Sequence, residues 1–197
     1  MFERMDRRSF ALGAAGLWLA GCKKEETTAR TTTPGPEAAE ADGKLLVKGA
    51  ELEEIAIRVY KTAAGLPFIA SDKVVLATAG RFMGQHGEHR DALLKAAREM
   101  GVEGNTDDVT MPDIPKAILD AALSDGERKT AVLLFARKLE MEAAQAYYAY
   151  VTTELRTAAA RRLAADILPV EAEHVAVYDF VLGTSSPAPT AFFSEHA

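Results

Sequence analysis

The sequence predicts an all-α protein, an antiparallel four-helix bundle made of two helical hairpins joined by a long crossover. Three observations carry that expectation. Alanine fills 37 of the 197 positions. With abundant Leu, Glu, Lys and Arg it favours helices, because these side chains lose little rotameric freedom there. Four long stretches repeat their apolar residues with a helical period, and no strand-like alternation of useful length competes with them. The connections inside each half are short, whereas residues 102–123 separate the halves. A net charge of −6 argues against a nucleic-acid binder, which needs a basic face. The single cysteine excludes an internal disulfide framework and any cysteine-held zinc or iron–sulfur cluster. A bound metal must therefore be held by oxygen and imidazole, from only four histidines.

The first 22 residues read as an export signal. Arg4, Arg7 and Arg8 precede an apolar run from Phe10 to Gly21, shorter than the roughly 20 residues that span a bilayer. The stretch Asp6-Arg7-Arg8-Ser9-Phe10-Ala11-Leu12 resembles a twin-arginine signal, and Leu19-Ala20-Gly21-Cys22 resembles a bacterial lipobox. The expected processing removes the signal peptide, residues 1–21, and lipidates Cys22, so the protein is exported and anchored on the periplasmic or cell-envelope side of a membrane. Residues 22–43 are rich in Thr, Pro, Glu and Ala without apolar periodicity, which predicts a flexible tether. The bundle is expected over 44–183 and a C-terminal tail over 184–197; that tail carries Phe192, Phe193 and His196, and no role falls to His196.

The first helix is expected from Lys44 to Ala64, closed by Gly65 and Pro67. Leu45, Leu52, Ala56, Val59 and Ala63 form its apolar stripe, and Glu51, Glu54, Arg58 and Lys61 form the wet face. The second runs from Asp72 to Met100, with Ser71 as N-cap and Gly101 as the stop. The third opens on Ser124-Asp125-Gly126-Glu127, a capping box, and continues to Leu155. The fourth spans Ala158 to Leu182 and ends at Gly183, with a kink expected at Pro169. Between the second and third helices, Pro115 to Leu123 has room for one short helix.

At roughly 100° per residue the inward faces can be laid out. On the fourth helix, Ile167, Glu171, His174, Tyr178 and Val181 share one stripe. On the third, Val132, Ala136, Glu140, Ala143, Tyr147 and Val151 align, with Glu142 opposite. On the second, Phe82, His86, His89, Leu93, Ala96 and Met100 align, while Glu88 turns outward. On the first, Glu53 falls with Gly49, Ala56 and Tyr60. Each helix thus carries one or two ionisable groups on an otherwise apolar face. A buried carboxylate without a partner costs several kcal/mol or protonates, so these groups need one another or a cation. The tyrosines Tyr60, Tyr147 and Tyr178 are expected to pack as core, the alternative for Tyr60 and Tyr147 being hydrogen bonding or electron relay at a metal site.

The spacing repeats. Glu53 precedes Tyr60 by seven residues, as Glu140 precedes Tyr147, and His86-x-x-His89 stands to the first pair as Glu171-x-x-His174 stands to the second. The hairpins read as a diverged duplication that brings six polar groups to the bundle centre.

On these residues the chain resembles the ferritin-like superfamily, specifically bacterial exported ferritin-like domain proteins. The resemblance covers roughly residues 44–183. That superfamily builds its site from one Glu on each of two helices and a Glu-x-x-His on each of the other two. Carried over, it implies terminal carboxylates at Glu53 and Glu140, a bridging carboxylate at Glu171, and imidazole ligands at His89 and His174. His86 stands where the pattern has glutamate, and Glu88 lies about 200° away round the helix and cannot replace it. The six implied metal ligands are therefore Glu53, His86, His89, Glu140, Glu171 and His174. The resemblance implies one or two ions, iron first, with zinc, manganese or copper also suited to such a set. With iron it implies oxidase or peroxide-reducing activity. The alternative is a non-catalytic helical envelope binding or stress module with a decayed metal site. The expected partner is the membrane, through the lipid anchor, with a homodimer left open and nucleic acid not expected.

Overall fold

The computed structural model describes residues 35–183. The signal peptide, Cys22, most of the expected tether and the tail from residue 184 lie outside the described residues. Those described form an all-α bundle without strands: α1 (Pro36–Ala64), α2 (Pro67–Ala70), α3 (Lys73–Glu99), α4 (Lys116–Leu119), α5 (Asp125–Ala149), a π-helical turn (Tyr150–Glu154) and α6 (Ala158–Leu182). Helices α1 and α3 form one hairpin, α5 and α6 the other, and the crossover carrying α4 joins them. No helix among the described residues is long and apolar enough to cross a membrane.

Helix α1 starts eight residues earlier than expected, at Pro36, so residues 36–43 belong to the fold and not to a tether. Pro36 sits where a missing N–H costs nothing, and Glu37 lies in the first turn against the positive end of the helix dipole. Asp42 explains why the extension is kept. Its carboxylate is fully buried and accepts from Arg156 N at 3.0 Å and Thr157 N at 2.7 Å, amides just ahead of α6. Next to it, Gly43 is packed so tightly that a Cβ would come within 2.7 Å of Val102, which seats the start of the crossover.

The caps follow local chemistry. Ser71 ends α2 in helical conformation, so the cap of α3 is the next residue: Asp72 is extended and accepts from Val74 N and Val75 N. Gly101, with φ of 81°, takes the left-handed step that ends α3, and Val102 N closes back on Ala97 O. The capping box of α5 is formed in both directions between Ser124 and Glu127. The α-helical part of α5 stops at Ala149, and the π-helical turn completes the stretch expected to reach Leu155 as α-helix. Thr157 caps α6, which runs on past Pro169 to Gly183 at φ of 63°.

Three apolar clusters fill the interior. Leu46, Ala50, Leu93, Ala97, Tyr147, Tyr150 and Ile167 belong to one end. Tyr60, Phe82, Leu133, Ala136 and Tyr178 form a second, and Phe68, Ile69, Ile118 and Val132 a third under α2 and α4. The expected stripes need three corrections. Leu52 and Val181 are exposed, while Leu46 and Ala50 take the inward places on α1. On α5 it is Ala144, not Ala143, that is fully buried. Glu54 and Arg58 are not a free wet face: Arg58 bonds Glu54 and donates to the carbonyls of Thr106 and Val109, pinning the crossover across α1.

Candidate metal centre

All six expected ligands meet in one polar layer between the apolar clusters. Glu53, His86, Glu140, Glu171 and His174 are each at most 2 % exposed, and His89 is the most open at 13 % of its side chain. Helical phase alone puts them there, since Glu88 and Glu142 face solvent as expected. Each hairpin supplies half. Glu53 comes from α1 and Glu140 from α5; His86 and His89 come from α3, and Glu171 and His174 from α6.

The contacts repeat the duplicated spacing. Tyr60 on α1 donates its hydroxyl proton to Glu140 on α5, and Tyr147 on α5 donates to Glu53 on α1. Each glutamate is thus held by the tyrosine that lies seven residues after its counterpart. Tyr178 then donates to the Tyr60 hydroxyl at 2.7 Å. All three tyrosines are buried in the core, and Tyr60 and Tyr147 also take the alternative role of hydrogen-bond donors to the site.

The imidazoles fill the middle. His86 Nδ1 lies 2.6 Å from Glu53 Oε2 and its Nε2 lies 3.2 Å from Glu140 Oε1. His89 Nδ1 is 3.0 Å from Glu171 Oε1, and His174 Nδ1 is 3.0 Å from Glu140 Oε2. The outer nitrogen of His174 meets Gln85 Oε1 at 3.1 Å, and Phe82 stacks on the same ring at 3.8 Å. Sequence reasoning passed over Gln85, whose only signal is its place beside His86.

Burial penalises charge on every one of these groups, and the mutual contacts decide the outcome. Burial pushes Glu53 up, but the His86 hydrogen bond and the nearby His89 imidazole outweigh it and hold the carboxyl below its usual range. Glu140 is held well below it by His174 and His86 against the same penalty. Burial lowers His89, yet Glu171 and Glu53 raise it to about 9. His86 and His174 are likewise raised, against burial, by their glutamates. Burial first, and then the Glu140 and Glu53 charges, raise the Tyr60 and Tyr147 hydroxyls, which keeps them protonated donors.

One residue does not close this network. Both oxygens of Glu171 are buried without a well-directed hydrogen bond, and so is Nδ1 of His89, although the two residues face each other as an ion pair at 3.0 Å. Glu53, His86, His89 and Glu171 nevertheless present ligand atoms within 4.8 Å of one another, and so do His86, Glu140, Glu171 and His174. The sequence profile of the ferritin-like domain matches residues 41–184. The chain belongs to the ferritin-like domain family. No curated protein and no solved structure gives a significant match to it. In this ferritin-like domain the buried glutamate–histidine cluster is compatible with metal binding, because its donor set is the oxygen and imidazole that iron, zinc and manganese accept.

Proposed function

We propose that this ferritin-like protein is exported, anchored to a membrane by lipid on Cys22, and binds one or two metal ions, iron first among them, at the bundle centre. The observation that carries the metal is Glu171. A fully buried carboxyl without a hydrogen bond is costly, and three imidazole nitrogens stand 3.0, 3.6 and 3.8 Å from its oxygens. A cation between these groups would give both Glu171 oxygens the directed contact that the imidazoles around them do not. Glu53, His89 and Glu171 would hold one ion, Glu140, His174 and Glu171 another, with His86 facing both. When bound, iron supplies the redox chemistry that reduces dioxygen or peroxide. The chain's own residues prepare the place: Tyr60 and Tyr147 fix the two terminal carboxylates, Gln85 turns His174 Nδ1 inward, and the apolar clusters exclude water. His89, the least buried ligand, marks the side nearest solvent. Export and anchoring rest on Arg7-Arg8, the short apolar run and the Leu19-Ala20-Gly21-Cys22 string.

A second reading is the non-catalytic envelope module with a decayed site. It is favoured by His86, Glu53 and Glu140, which satisfy one another and the tyrosines without a cation. The test is metal analysis of the full-length protein in detergent after loading with Fe(II), Zn(II) or Mn(II) and gel filtration. One or two ions per chain, lost in Glu171→Ala, support the metal reading. Substoichiometric metal with every ion overturns it and leaves the structural module. Mass spectrometry of the membrane fraction tests the anchor: an N-terminal lipidated Cys22 is expected, and an intact N-terminus contradicts it.

A further inference from the structure

We propose that His86 is a bridging ligand, one imidazole ring spanning both metal positions through its two nitrogens. The inference rests on the metal-binding reading above and goes beyond it. Its basis is the direction of the ring. Nδ1 of His86 faces Glu53, from the first hairpin, and Nε2 faces Glu140, from the second. The other two imidazoles behave differently. His174 turns Nδ1 to Glu140 and Glu171 and gives Nε2 to Gln85 outside the centre, and the centre contacts of His89 all run through Nδ1. His86 and Glu171 alone belong to both groups of converging ligand atoms. They occupy equivalent places on α3 and α6 of the duplicated hairpins, and Glu171 likewise turns Oε1 towards His89 and Oε2 towards His174.

Charge gives the second argument. Three carboxylates facing two divalent ions leave one positive charge unbalanced in a layer almost closed to solvent, where an uncompensated charge is costly. As the second ion binds, the ring gives its remaining N–H proton to solvent and forms a bond to metal at each nitrogen. The imidazolate then supplies the fourth negative charge, which the carboxylate of the superfamily pattern would have carried. The ordinary arrangement is different: a ligating histidine uses one nitrogen and donates the other N–H to a carboxylate or carbonyl. That arrangement would give one ion two imidazoles and the other only one.

Nuclear magnetic resonance distinguishes the two. Full-length protein with isotope-labelled histidine nitrogens is loaded with cadmium(II) carrying a spin-active nucleus. The bridge predicts one ring with cadmium coupling at both nitrogens and complete loss of its N–H signal, while His89 and His174 each keep one protonated nitrogen. The doubly coupled ring should survive in His89→Gln and in His174→Gln and vanish in His86→Gln, so the assignment does not depend on the His86 variant folding. Three rings that each keep an N–H, or a single tightly bound cadmium, would overturn the bridge while leaving metal binding intact. No cadmium bound at all would overturn the bridge, and the metal reading with it only where Fe(II), Zn(II) and Mn(II) also stay substoichiometric.

Discussion

Removing one hydroxyl group tests whether the tyrosines hold the centre. In Tyr147→Phe the ring stays and only the donor to Glu53 is lost; Tyr147 is fully buried, so water does not replace it. A hydrogen bond to a charged group is worth about 1.5–3 kcal/mol, so a loss of about 2 kcal/mol is expected. For a chain of this length that lowers Tm by about 4–8 °C. Tyr60→Phe should cost more, about 3 kcal/mol, because Glu140 loses its donor and the Tyr178 hydroxyl loses its acceptor. The assay is thermal unfolding of chelator-treated protein followed by circular dichroism, with both variants beside the parent. A Tm change below about 1 °C in Tyr147→Phe, or Tyr147→Phe the more damaging of the two, would refute this account of the network.

Other expectations follow from the same contacts. The metal-free protein should lose stability as pH rises: His89 is raised to about 9 from an unfolded value near 6.5, so its contribution is complete below about pH 6.5 and fades through about pH 9. His86 and His174 shift in the same direction. Melting curves with chelator between pH 6 and 10 check this, and a Tm that is flat or rising across that range contradicts it. Metal affinity should run the other way, rising with pH as protons leave the imidazoles, which competition with a chromophoric chelator measures. Asp42→Ala leaves two part-buried amides without their acceptor and should cost about 1–3 kcal/mol; an unchanged urea midpoint would show that residues 36–43 do not stabilise the fold. Gln85→Leu frees the outer nitrogen of His174 and should weaken metal binding about 10–100-fold, measured by calorimetry with Zn(II), while equal affinity would deny Gln85 its orienting role.

Helical phase makes the centre legible from the amino-acid order alone, because an ionisable residue on an apolar stripe has only one direction to face. Glu53, His86, His89, Glu140, Glu171 and His174 all arrive where their spacing puts them. Local caps are equally readable at Ser124, Gly101 and Gly183, whose chemistry is decided within a few residues. What depends on distant partners is not. Asp42 reads as part of a polar linker until the amides of Arg156 and Thr157 are placed beside it by the second hairpin. Glu54 and Arg58 read as a solvent face because the crossover that covers them has no periodicity of its own. Ser71 and Asp72 are both good N-caps, and only the backbone turn of α2 chooses between them. The duplicated seven-residue spacing of Glu and Tyr is visible in the chain, but not that each tyrosine reaches across to the other hairpin's glutamate.

The most direct measurement is anomalous diffraction from a crystal of the protein soaked in Zn(II). One or two strong peaks are expected in the layer between the apolar clusters, touching Glu171 and at least one of His89 and His174, and absent from a Glu171→Ala crystal. A well-ordered map with no peak beside Glu171, or zinc only on the outer surface, would contradict metal binding there.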